Sequence, residues 1–141
     1  MKRLFFLIWL FVIGCSNTMM SEDCDCSFEI SSDLPKFNGV YEIEYNQDLA
    51  QTYSTLSCFT GCGWGEHIQW DSDYKYRTSP NDGWISLVNP ASMTDEDGNG
   101  KIVFAVWEEF IGETITIYGT YTDDCGNNFL NSVKVKVVDN E

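Results

Sequence analysis

Residues 101–141 read KIVFAVWEEFIGETITIYGTYTDDCGNNFLNSVKVKVVDNE, and the fold is decided there. Ile115, Ile117, Gly119 and Tyr121 alternate with Thr114, Thr116, Tyr118 and Thr120, and Val133, Val135 and Val137 alternate with Lys134 and Lys136. Period two is the spacing of a half-buried strand, because successive side chains leave opposite faces of the pleat. The DDCGNN run between the two is made of turn formers, with Gly126 and the asparagines able to adopt positive φ at little expense. A long antiparallel hairpin with its Ile/Val face inward is expected.

The earlier part of the chain repeats the pattern in shorter pieces. Residues 27–30 read as an opening strand, and 40–45 alternate, with Tyr41, Ile43 and Tyr45 on one face and Glu42 and Glu44 on a wet one. Residues 52–59 form a further strand ahead of the glycine-rich CFTGCGWG. Short runs at 67–70 and 74–77 flank the acidic turn Asp71-Ser72-Asp73, and turn residues 79–83 precede a run at 84–88. No long segment carries apolar residues at three-and-four spacing, and no βαβ alternation, phosphate loop or internal repeat is present. These signals predict an all-β domain over residues 26–139, an antiparallel β-sandwich of seven to nine strands.

With 141 residues the chain is long enough for one domain with a real core and short for two. Its formal charge of −14 becomes −16 when Lys2 and Arg3 leave with residues 1–14. Six basic residues then remain, too few for the basic face that a phosphate backbone requires, so nucleic acid is not an expected partner. The acids read as a solvated surface.

The start, MKRLFFLIWLFVIGC, is a short basic segment, an apolar stretch from Leu4 to Ile13 and a small residue before a cysteine. The apolar stretch is too short to span a bilayer as a helix and fits the core of a signal peptide. Val12-Ile13-Gly14-Cys15 resembles the lipobox of bacterial lipoproteins. The resemblance implies cleavage after Gly14, acyl chains such as palmitate on Cys15, and anchorage in a membrane; Ser16, which is not aspartate, points to the outer membrane or cell surface. Residues 15–25 are polar, acidic towards their end and without periodicity, as a flexible tether would be.

Two further resemblances concern residues 83–141. Tyr121, Asp123, Gly126 and Asn127, with Val137-Val138-Asp139, fall on the closing hairpin of immunoglobulin-like modules of bacterial surface proteins, of the hyalin-repeat and polycystic-kidney-disease-repeat kind. Gly83-Trp84-Ile85-Ser86-Leu87, then Asn89-Pro90-Ala91-Ser92, then an acid-glycine turn and the run 101–106, resemble the BACON domain. These likenesses imply an immunoglobulin-like sandwich serving adhesion or carbohydrate binding. Residues 24–82 match neither family closely.

Five cysteines remain after lipidation: Cys24, Cys26, Cys58, Cys62 and Cys125. Export favours disulfides, and five thiols allow at most two, leaving one out. Cys58 and Trp70 are spaced as in an immunoglobulin core, with Cys125 as the partner across the sheets; the turn residues around Cys125 favour instead a tie from a loop to the body. Cys58 with Cys62, or Cys24 or Cys26 with another thiol, fit as well. A zinc site built from these thiols and His67 is the alternative to oxidation.

Asp95, Asp97 and Asn99 occupy the first, third and fifth places of a calcium-loop-like run with Gly98 and Gly100, but Val106 stands where the bidentate acid belongs, which excludes a full EF-hand. A weak calcium site or a tight acidic turn are the two readings, and no other cofactor is implied. Trp64, Trp70, Tyr74 and Tyr76, near Asp71 and Asp73, are the candidate sugar platform, since apolar sugar faces stack on rings while acids and amides bond hydroxyls. The competing reading places Trp70, Trp84 and Trp107 in the core. No nucleophile stands beside His67, the only histidine, so the expectation is a non-catalytic, lipid-anchored module that binds glycans or envelope proteins, or an accessory subunit of an outer-membrane complex.

Overall fold

The computed structural model describes residues 26–62, 65–77, 79–83 and 85–140. Among them run β1 (Phe28–Ser32), β2 (Lys36–Phe37), β3 (Val40–Tyr45), β4 (Thr52–Thr60), β5 (His67–Ser72), β6 (Lys75–Tyr76), β7 (Ile85–Ser86), β8 (Ala91–Met93), β9 (Asn99–Val106), β10 (Thr114–Thr122) and β11 (Asn128–Asp139). Seven of these strands are five residues or longer, and the other four are pairs or triplets. Among the described residues the one helical turn is a 3-10 segment at Glu108–Phe110.

β10 and β11 form the expected hairpin, with Ile115 opposite Val135 and Ile117 opposite Val133. All four are buried, as are Gly119 and Tyr121 farther along β10, while Thr114, Thr120, Lys134 and Lys136 are exposed. The connecting loop is held by Asp123, which is 5 % exposed. Its carboxylate accepts the Asn127 amide at 2.7 Å and the Asn127 side-chain NH2 at 2.9 Å, and Gly126 takes φ 82° to bring the chain round.

Two sheets stack. One has the order β1-β4-β9, the other β2-β3-β11-β10-β5-β8, and β6-β7 is a small separate ladder. The three-stranded sheet gains a fourth edge from residues 87–89: the Ala105 amide donates to the Leu87 carbonyl at 2.8 Å and the Asn89 amide to the Val103 carbonyl at 3.1 Å. Successive long strands alternate between the layers, and only the last two are neighbours in one sheet. This is the Greek-key arrangement of an immunoglobulin-like β-sandwich. One pairing departs from the antiparallel expectation: β3 runs parallel to β11, Tyr41 beside Val135 and Ile43 beside Val137. The chain has entered the second sheet by β2, the tight turn at Asn38-Gly39 reverses it into β3, and two strands as distant in sequence as β3 and β11 are free of the hairpin constraint that makes near neighbours antiparallel.

The core lies between the layers. Phe28, Leu56, Cys58, Ile102, Phe104 and Val106 come from one sheet, and the Ile/Val/Tyr face of β3, β5, β10 and β11 from the other. Phe28 is the link at one end: its ring meets Trp70 edge-on at 6.3 Å and Tyr121 at 6.1 Å. It sits over Gly119, where a Cβ would come within 2.8 Å of Phe28 Cζ and 3.1 Å of Trp70 Cζ3.

Cys26 and Cys62 form a disulfide with Cα atoms 5.2 Å apart, and Cys125 is also disulfide-bonded. A bond closing a loop of this size stabilises a small domain by roughly 2–4 kcal/mol. Cys58 is the thiol left out: β4 turns it into the core opposite Gly100, 3 % exposed, and neither the pairing with Cys62 nor the pin to Cys125 forms. Burial pushes its pKa up, with bonds to the Gly100 backbone and the Ser92 side chain partly opposing, so it is a core residue with little thiolate. The Cys26–Cys62 bond also consumes two of the thiols a zinc site would have needed. The signal and tether segments, Cys15, Cys24, Trp64 and Trp84 lie outside the described residues.

Gly119→Ala is expected to destabilise the fold by about 1–3 kcal/mol, because the contacts around it are rings of the core that must move; urea unfolding measures it. For Asp123, desolvation raises the pKa, but bonds from the Asn127 side chain and from the amides of Asn127, Cys125 and Gly126 prevail and hold it below the ordinary 3.8. A depressed carboxylate stabilises the fold above its unfolded pKa and stops doing so as pH falls through the folded one. Thermal melts across the acid range are therefore expected to show a loss of stability below about pH 4 that is smaller in Asp123→Asn, with the variant less stable at neutral pH.

Candidate functional site

The site is assembled around a single buried hydroxyl. On β5, Ile68, Trp70 and Ser72 share the inward face, so the alternation that buries the first two also buries Ser72, at 1 % exposed. Its Oγ donates to the Tyr74 carbonyl at 2.7 Å, accepts the Leu87 amide at 3.1 Å and lies 3.1 Å from Ser86 Oγ. Those bonds satisfy the hydroxyl and draw the turn after β5 onto the segment 85–87. The β6-β7 ladder follows from them, with Tyr76 opposite Ile85.

That ladder carries Tyr76, one of the tyrosines singled out by the sequence, and Tyr74 lies just before it. Tyr74 meets Phe110 edge-on at 5.6 Å, and its hydroxyl donates to Glu113 Oε2 at 2.6 Å. The bond to Glu113 is the first cause holding the Tyr74 phenol above its ordinary pKa. Tyr76 stacks on Trp107 with centroids 3.9 Å apart and planes 12° from parallel, and Trp107 in turn meets Phe110 at 6.4 Å. Tyr74, Phe110, Trp107 and Tyr76 are therefore one run of rings. Phe110, buried in the 3-10 turn, is its anchor, and Trp107 at the turn's N-cap is half-buried.

Trp107 borders two open hollows. One, of about 260 Å3, runs over the outer face of the three-stranded sheet between Tyr53, Val103 and Ile85, with Gln51 and Asn89 at its margin. Tyr53 and Ile85 are 58 % and 50 % exposed. The other, of about 590 Å3, is lined by Gln47, Leu49, Glu108 and Glu109. The first offers two rings, two amides and two aliphatic side chains, which can stack on the apolar face of a sugar and bond its hydroxyls.

The candidate platform is thus redistributed. Tyr74 and Tyr76 do lie together, but each is engaged by another ring, so they support Trp107 instead of presenting faces of their own. Trp70 is a core residue, 5 % exposed, donating its indole N–H to Ser92 Oγ at 2.9 Å, and it has no free face on which a sugar could stack. Asp73 caps two amides, those of Tyr74 and Thr116, each at 2.8 Å. The rings at the first hollow are Trp107, placed in the core by the competing reading and half-buried here, and the exposed Tyr53. Tyr53 lies on the exposed face of β4, opposite Leu56 and Cys58, which the period-two rule could have flagged.

The calcium-like run is a turn. Asp95 Oδ1 accepts the amides of Asp97 and Asn99 at 3.0 and 2.9 Å, the Gly98 amide donates to the Asp95 carbonyl at 3.0 Å, and Gly98 has φ 81°. Asp95 thus caps the turn that it opens. Among the described residues no group of three or more His, Cys, Asp or Glu side chains is placed to hold a metal ion, and no helix is long and apolar enough to cross a membrane.

No protein-family model and no curated protein matches the chain. Among solved structures, an ASH/PapD-like domain of human CEP192 is similar at 7 % identity and TM-score 0.43, over 81 % of this chain and 87 % of that one. A DUF4466 family protein from Parabacteroides merdae is similar at 12 % identity and TM-score 0.40, over 78 % of this chain and 44 % of that one. A family 123 glycoside hydrolase from Clostridium perfringens is similar at 8 % identity and TM-score 0.43, over 82 % of this chain and 27 % of that one.

Proposed function

We propose that this chain is a non-catalytic lipoprotein of a bacterial envelope, anchored through acylated Cys15, whose sandwich binds glycans through the groove between Tyr53 and Trp107. The observation that carries the reading is the half-buried Trp107 ring, braced by Tyr76 and bordered by an open groove that it shares with the exposed Tyr53. The groove's partners for hydroxyls, Gln51 and Asn89, are amides, which bond a sugar without transferring its protons. At about 260 Å3 it is smaller than the roughly 300–1,000 Å3 pockets that enclose drug-sized ligands. A terminal or branching sugar suits it better than a long chain. The lipobox resemblance at Val12–Cys15, the BACON likeness of residues 83–106 and the hyalin-repeat likeness of the closing hairpin support an adhesive role at the outer membrane or cell surface.

A second reading, an accessory subunit working through protein contacts, is favoured by the apolar composition around the same groove. Tyr53, Val103 and Ile85 are 58 %, 41 % and 50 % exposed, and exposed apolar clusters on small domains often mark protein contacts.

On a glycan array, Tyr53→Ala is expected to weaken retained signals about tenfold while leaving stability within about 0.5 kcal/mol, since the side chain is mostly in solvent. Trp107→Ala is expected to abolish the signals. A wild-type protein that retains no glycan, or variants that bind as the wild type does, would sink the glycan reading in favour of the accessory one. The anchor is tested separately: palmitate labelling in a bacterial host is expected to follow Cys15 and to vanish in Cys15→Ala, and label that persists in the variant removes the lipoprotein assignment.

A further inference from the structure

The opposite face of the sandwich carries a hollow that the groove at Trp107 does not use. β5 and β10 pair so that Gln69 stands opposite Thr120 and Asp71 opposite Tyr118. Alternation puts these side chains, with His67, on the outer face of the six-stranded sheet. Pro90 and Ala91 close one side, and the wall is fixed because the Trp70 amide donates to the Pro90 carbonyl at 2.9 Å. The space enclosed is about 470 Å3, within the roughly 300–1,000 Å3 typical of ligand pockets.

Most of its lining is apolar, and the polar groups set in it are charge-balanced. The Tyr118 hydroxyl donates to Asp71 Oδ2 at 3.3 Å, and Asp71 Oδ1 accepts the Ser72 amide at 2.9 Å and pairs with the Lys75 ammonium. The one carboxylate of the hollow is therefore matched by a cation beside it. What remains for a ligand is a half-buried phenol ring, the Gln69 amide, the Thr120 hydroxyl and an imidazole. An ionic ligand would find no uncompensated opposite charge there, whereas a neutral polyhydroxylated one finds a ring to stack on and both donors and acceptors.

We propose that this hollow is a second ligand site, for a neutral oligosaccharide chain lying across β5 and β10. It goes beyond the Trp107 groove, because the two lie on opposite faces and share no residue. A domain with both would hold two glycan chains, or two stretches of one, and gain avidity without a second copy.

Amide NMR shifts during titration with cellohexaose, xylohexaose and maltoheptaose test the assignment. At least one of these probes is expected to shift residues 67–71, 90–91 and 118–120, and to do so equally in Trp107→Ala. Gln69→Ala, at an exposed position that leaves the fold intact, and Tyr118→Ala are expected to weaken that binding about tenfold. Shifts confined to the surroundings of Tyr53 and Trp107, no shifts with any of the three probes, or binding at β5 and β10 that Gln69→Ala leaves unchanged would each overturn the second site. Shifts at β5 and β10 with none near Trp107 would uphold it while overturning the first.

Discussion

The packing of Phe28 over Gly119 is the contact on which the rest of the sandwich depends. Phe28 belongs to β1 in one sheet, and Gly119, Trp70 and Tyr121 belong to the other, so the ring spans the gap between the layers. Only a glycine leaves room for it, since a Cβ at 119 would stand 2.8 Å from Phe28 Cζ. The same site explains why Trp70 is inside. Its ring fills the flank of Phe28, its indole N–H is satisfied by Ser92, and removing it to the surface would open the end of the core. Tyr121 completes the group, stacked on Phe129 at 5.4 Å with its hydroxyl near Cys26 Sγ, and burial pushes its pKa up to about 12.

Farther along β5 the problem is polar instead of steric. Ser72 enters the core because β alternation gives it no choice, and a buried hydroxyl without partners would be strongly unfavourable. Its bonds to Tyr74, Ser86 and Leu87 solve this and shape the surface at the same time. They dock the 73–76 turn beside residues 85–87, and that docking is what carries Tyr76 onto Trp107. The proposed glycan groove is therefore a consequence of how one core hydroxyl is satisfied, close in sequence to Tyr76 and far from the Trp107 ring that Tyr76 braces.

The two proposed sites differ in kind. The groove at Trp107 is small, mixes rings and aliphatic side chains with amides, and is built where short strands and a 3-10 turn meet. The hollow over β5 and β10 is a larger and more apolar face on the regular part of the larger sheet, its carboxylate tied down by Lys75 and Tyr118. Long strands hold the second rigidly, while the first rests on ring stacking. Two weak contacts at separate sites of one domain would combine into a more durable one.

Much of this architecture was legible in the chain. Alternation in 114–121 and 133–137 determined the closing hairpin and its buried face, the run 40–45 determined β3, and the absence of three-and-four spacing determined the all-β class, because period and burial are linked locally by the geometry of the strand itself. The tertiary structure alone decided the parallel pairing of β3 with β11, the choice of Cys26 and Cys62 over Cys58 for a disulfide, and the exchange of roles between Trp70 and Trp107. Those outcomes turn on which residues far apart in sequence come within bonding or packing distance. A side chain's own spacing says which face it leaves by, and only the layer stacked against that face says whether it meets a partner, a thiol or open solvent.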